Sequence, residues 1–188
     1  MDFSPNKQPP IQISMLGNFE IYNDGTKIEE TVNRSKKMWN LLGYIITYRN
    51  KHLSQTDYID MLWPDEDSAN PVNALKTLLS RLRHLLEPVA VHNENFIISS
   101  QGSYQWNNHL NCMIDIEEFE KFCQKANGTT VSEENRILFY KKALDLYKGD
   151  FMTKHATELW VIPLSTYYHN LYIDTAKNFF SLLRKFND

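Results

Sequence analysis

Two cysteines, Cys112 and Cys123, are too few for a disulfide framework and suit a reducing compartment. No apolar run approaches the roughly 18 residues of a helical membrane span. The opening "MDFSPNKQPP" is polar and lacks the apolar core of a secretory signal. The expectation is a cytoplasmic protein with no membrane association. Catalytic motifs are missing as well: no G-x-S-x-G, Walker, G-x-G-x-x-G or H-E-x-x-H pattern occurs, and the histidines are scattered. His109, Cys112 and Cys123 do not make the four closely spaced ligands of a zinc site. No enzyme, metal or cofactor is expected, and Cys123 reads as a buried apolar filler.

Excess positive charge is the next absence. The net charge is −3, with 10 Lys+Arg against 12 Asp+Glu in residues 1–107 and 10 against 11 in residues 108–188. Any surface for nucleic acid must therefore arise by segregating charge, not from overall basicity. What is present is 42% apolar and 13% aromatic content, enough for real cores in one domain or two small ones.

One stretch does segregate its charge: "NALKTLLSRLRHLLEP", residues 73–88. At about 100° per residue, Leu75, Leu78, Leu79, Leu82, Leu85 and Leu86 share one arc. Asn73, Lys76, Thr77, Ser80, Arg81, Arg83 and His84 fill the other. One face wants a core; the other is basic, rich in donors and free of acid until Glu87. For a helix taken alone, a solvated face is the simpler account. Its neighbours change that.

Residues 11–30 read as three short antiparallel strands, with Asn23-Asp24-Gly25-Thr26 as a tight turn. Ser35 is expected to cap a helix from Lys36 to about Arg49. "SQTDYIDMLWP" opens a second helix, Ser54 and Asp57 making a capping box and Pro64 stopping it. The acidic loop Asp65, Glu66 and Asp67 precedes Asn70-Pro71, which starts the basic helix, residues 71–87. "VAVH", "NFIISS" and "SYQWN" then read as strand pieces separated at Asn93-Glu94-Asn95 and Gln101-Gly102. Two helices with a basic second one, followed by a hairpin, give a winged helix-turn-helix able to enter a major groove.

Residues 108–188 read as helical. Ile116, Phe119, Phe122 and Cys123 share a face; Ser132 starts a second helix, with Gly149 expected at its C-terminal cap. A long third helix is expected after Pro163, running through Tyr172, Ile173, Ala176, Phe179, Phe180 and Leu183. Ala143…Tyr147 and Ala176…Phe180 repeat one small–aromatic pair 33 residues apart, close to the period of tetratricopeptide units.

The segment "SKKMWNLLGYIITYRNKHLSQTDYIDMLWPDEDSANPVNALKTLLSRLRHLLEP" resembles the OmpR-type winged-helix domain of the Streptomyces antibiotic regulatory proteins. Ser35-Lys36-Lys37, Leu53-Ser54, Leu62-Trp63-Pro64 and Leu79-Ser80-Arg81-Leu82-Arg83 carry the likeness. "IDIEEFEKFCQKA", "YKKALDLYKGDFM" and Trp160-Val161 are similar to the activator domain that follows in those proteins. The resemblance implies a flexible tail over 1–10, a DNA-binding domain over 11–107, and a short tetratricopeptide-like activator domain over 108–188. It implies double-stranded DNA as partner, with direct repeats at a promoter, RNA polymerase recruitment, and a homodimer or tandem copies.

By position, it places Asn73, Lys76, Thr77, Ser80, Arg81 and Arg83 on DNA, with His84 and Ser54 as further candidates. Arg81 is expected to read a base and Arg83 to hold a phosphate. Ser54 stands as either a cap or a phosphate ligand. Trp63 reads as a core residue or as a phosphate donor. The sequence departs from the family at Gln55, often arginine there, and in the hairpin turn "SSQGSY", which lacks a basic residue. Weak binding by a single copy follows. A protein-interaction module whose winged helix does not bind DNA is the other reading.

Overall fold

The computed structural model describes residues 9–30, 35–64, 70–90, 94–100 and 102–187. Most of the expected tail, the acidic loop at 65–67, and Val91, His92, Asn93 and Gln101 lie outside them. The chain divides into two compact units, residues 1–12 with 21–113 and residues 13–20 with 114–188.

The strands are β1 (Ile11–Ser14), β2 (Glu20–Asn23), β3 (Thr26–Glu29), β4 (Ile97–Ser100), β5 (Ser103–Trp106) and β6 (Cys112–Ile114). One sheet runs in the order β3-β2-β1-β6, and β4 with β5 forms a two-stranded sheet. A fourth strand at 112–114 was not anticipated, because three residues are too short to show a period of two. Between β2 and β3, Asp24 (φ 43°) and Gly25 (φ 79°) are both left-handed, the backbone of a two-residue hairpin turn.

The first unit packs α1 (Lys36–Thr47), α2 (Gln55–Leu62) and α3 (Pro71–Leu86) around Trp39, Leu41, Leu42, Tyr58, Leu75 and Leu82. Leu75, Leu78, Leu79, Leu82 and Leu86 of α3 are buried, as its pattern requires, each contributing about 1.5–3 kcal/mol relative to exposure. Asn23 Nδ2 donates to the Val89 carbonyl at 2.9 Å, tying β2 to the chain beyond α3. Val89 itself lies in a 3-10 turn, Glu87–Val89, so the "VAVH" strand does not begin there. Pro88 explains this: its fixed φ suits a turn, and it has no N–H to give a ladder. Ser35 makes no side-chain cap; its carbonyl accepts from Met38 and Trp39 instead.

The second unit contains α4 (Asp115–Ala126), α5 (Glu133–Leu146) and α6 (Val161–Asn187), with α4 packed on α5 and α5 on α6. Ser132 caps α5 by accepting from the Asn135 N–H. Cys123 is buried, its Sγ 3.2 Å from Thr175 Oγ1. The buried line of α6 is Tyr168, Thr175, Phe179 and Leu182, whereas Phe180 is 60% exposed. Two adjacent phenylalanines sit 100° apart on a helix, and of this pair Phe179 joins the cluster with Ala126 and Tyr140.

Gly149 is not a left-handed helix cap either. Its Cβ position would lie 3.2 Å from Gly17 Cα, so the residue exists for a close backbone crossing. Gly17 (φ 102°) donates to the Asp150 carbonyl at 3.1 Å, and a Cβ there would stand 3.2 Å from the Lys148 carbonyl carbon. Gly17→Ala should therefore lower stability by about 1–3 kcal/mol, read as a shift in urea midpoint; an unchanged midpoint would contradict this crossing.

Candidate nucleic-acid interface

Two neighbouring helices and a hairpin frame the basic face. Asn70 accepts from the Asn73 N–H at 3.0 Å and Pro71 occupies the first turn, which fixes where α3 begins. Asn73, Lys76, Thr77, Ser80, Arg81 and His84 are exposed, opposite the buried leucines. Lys76 and Arg81 meet no ionic or hydrogen-bond partner among the described residues. An unpaired, solvated guanidinium on a helix without acid pays little desolvation to meet an anion.

The remaining positions are more committed. Thr77 Oγ1 donates to the Asn73 carbonyl at 2.9 Å, which leaves its oxygen as an acceptor. His84 Nδ1 lies 2.8 Å from Glu87 Oε1. Arg83 is half-buried, and its Nη2 donates to Ser99 Oγ on β4 at 2.7 Å. Glu87 and Glu94 line the cavity of about 390 Å³ beside it. Arg83 thus ties α3 to the hairpin, a link that sequence spacing alone could not reveal.

The hairpin is held in register by Ile97 opposite Trp106 and Ser100 opposite Ser103, with Gly102 at φ 79° in its turn. Its second strand is anchored to the start of α2. Ser54 bridges to Ser103, Ser103 Oγ donates to the Leu53 carbonyl at 2.8 Å, and Tyr58 OH donates to the Tyr104 carbonyl. Sheet, three helices and an anchored hairpin complete a winged-helix arrangement.

These features can be set beside known proteins. No family model matches the chain. Over 145 residues, 76% of its length, the chain is 23% identical to Regulatory protein AfsR of Streptomyces coelicolor, of which the match covers 14%. Its backbone is similar to that of Mycobacterium tuberculosis EmbR, solved in complex with a low affinity phosphopeptide. There the TM-score is 0.73 at 16% identity, over 90% of this chain and 44% of that one. The chain spans less than half the length of either protein. The likeness to EmbR is one of fold, a winged helix followed by helices.

At the start of α2 the capping role of Ser54 is formed. The Asp57 carboxylate accepts from Ser54 N at 2.6 Å and from Ser54 Oγ at 2.7 Å, and these bonds hold its pKa below the usual carboxylate value. Ser54 is a cap with both donors engaged, and a phosphate arriving there would face Asp57. Trp63 is only half-buried, with Lys37 Nζ 5.2 Å from its ring centroid, so it is not a core tryptophan. No helix among the described residues is long and apolar enough to cross a membrane.

Proposed function

We propose that the chain is a sequence-specific DNA-binding transcriptional regulator, an activator, of the Streptomyces antibiotic regulatory protein type. Residues 11–107 then act as an OmpR-type winged-helix domain and 108–188 as a short, tetratricopeptide-like activator domain. α3 lies in the major groove. Arg81 addresses guanine O6 and N7 with its two-pronged donor geometry, and Asn73, Lys76 and Ser80 contact neighbouring groups. Arg83 keeps the hairpin on α3 while its free donors meet a phosphate. Two copies bind promoter direct repeats, and RNA polymerase is the protein partner.

The acid-free, exposed face of α3, with Lys76 and Arg81 unpaired among the described residues, carries this reading. Similarity to a protein named as regulatory supports it. Selection from random duplexes by the full chain should enrich one short motif as direct repeats centred about 10–11 base pairs apart. Failure to enrich any sequence would remove DNA recognition and leave the interaction-module reading.

Asp57→Asn probes the second helix. It removes a negative charge from the α2 start and should raise DNA affinity at low salt by roughly two- to fivefold, an effect that fades as salt screens it. The weakened cap costs about 0.5–1 kcal/mol in unfolding. Equal affinity of variant and parent at low salt would show that no phosphate approaches α2.

A further inference from the structure

A second pair of cations, Arg136 and Lys185, lies in the helical unit beside a cavity with no carboxylate among its described lining residues. The end of α4, the first turns of α5 and the last third of α6 surround a cavity of about 320 Å³. Asn178, Ser181 and Lys185 line it at i, i+3 and i+7 of α6, one face of that helix. Arg136 and Tyr140 come from α5 and Asn127 from the end of α4.

The donors in this cavity outnumber its acceptors. Arg136 spends Nη2 on the Gly128 carbonyl at 2.9 Å, while its Nε is buried with no acceptor among the described residues. A buried N–H without an acceptor calls for an unseen partner. Tyr140 OH donates to Asn127 Oδ1 at 3.0 Å, which turns that side chain's NH₂ into its remaining function. Two other lysines of this unit sit beside carboxylates, Lys121 with Glu118 at 2.7 Å and Lys177 with Asp174 at 3.8 Å. Lys185 and Arg136 have no such neighbour among the described residues, and no carboxylate lines the cavity there.

We propose that this cavity binds a small phosphoryl-bearing ligand, its phosphoryl group seated between Arg136 and Lys185. A phosphate monoester carries about −1.5 to −2 charges near neutral pH and offers three acceptor oxygens. Two cations balance that charge, the guanidinium fork suits two of the oxygens, and Ser181, Asn127 and Asn178 serve the third. The volume is at the low end for small-molecule sites, fitting a phosphoryl group with a short polar body. The assignment goes beyond the DNA reading and does not depend on it. A bound ligand would join α4, α5 and α6, raising the melting temperature of the unit with the logarithm of ligand concentration above its Kd.

The test is a titration of the ¹⁵N-labelled full chain with inorganic phosphate, ribose 5-phosphate and, at matched ionic strength, acetate. Saturable shifts at Asn127, Asn178, Ser181 and the Arg136 Nε–H are expected with both phosphates and not with acetate. Tighter binding of ribose 5-phosphate would assign the site to a metabolite, and equal binding to free phosphate. K185E changes an exposed residue, so it should keep the parent's melting temperature while weakening binding at least about tenfold. S181D should do the same if R136Q fails to fold. Shifts that track ionic strength alone, or K185E titrating like the parent, would overturn the proposal. So would a loss of DNA retention in K185E without phosphate shifts, which would assign both cations to the nucleic-acid backbone.

Discussion

Asp115→Ala is expected to lower unfolding free energy by about 3–5 kcal/mol, a large share of the roughly 5–15 kcal/mol typical of a domain. Asp115 is buried at the first position of α4, where one carboxylate oxygen accepts from Met15 N at 2.7 Å and Leu16 N at 2.8 Å. The other accepts from Ile116 N at 2.7 Å. Alanine strands all three N–H groups in a dry environment, each costing about 1–3 kcal/mol less whatever relaxation recovers. Urea unfolding reads the loss directly, and a change below about 1 kcal/mol would show that the carboxylate does not hold residues 15–16 to α4.

The same group gives the stability a pH dependence of unusual sign. Burial pushes the Asp115 pKa up to about 6, against the backbone N–H groups of Leu16, Met15, Ile116 and Asp115 itself that pull it down. Between the unfolded carboxyl value near 4 and that folded value, the native state holds the extra proton. This contribution is therefore complete below about pH 4 and is lost as pH rises through about 6. A stability profile of the parent minus that of Asp115→Asn should isolate that falling limb.

The second large effect is on binding. K76E/R81E should weaken specific DNA binding by at least about a hundredfold while leaving the circular dichroism spectrum and melting temperature unchanged. Both side chains are exposed on the face opposite the leucines, so reversal costs the fold nothing in packing. Each lost guanine or phosphate contact is worth about 1–3 kcal/mol, and repulsion adds to it. The slope of log affinity against log salt should also shrink by about 0.9 for each phosphate contact removed. Retained affinity in this double variant would place DNA on another surface.

Much of this was legible because local rules and tertiary packing agree. The leucine period placed α3 and its buried face, and Ser54 with Asp57 marked the start of α2 through a reciprocal pair that forms as expected. Asp24-Gly25 marked a turn, being one of the few pairs that readily take two positive φ values. What stayed hidden depends on partners distant in sequence. Asp115 meets residues 99 and 100 positions away, so nothing near it signals that one acid in "IDIEEFEKF" points inward. Arg83 looked like Arg81 on the helical wheel; its bond to Ser99 separates a hairpin anchor from a solvated guanidinium. In α6, Phe179 and Phe180 compete for one face, and the choice is made by α5.

The role of Arg81 is most directly measured by a double-mutant cycle on the selected site, pairing Arg81→Ala with 7-deazaguanine, which lacks the N7 acceptor. If Arg81 reads a guanine in the major groove, one position of the site will lose about 1–3 kcal/mol of binding with the parent and almost nothing with Arg81→Ala. Equal losses in both proteins at every guanine would show that this side chain touches no base, and α3 would no longer be the reading helix.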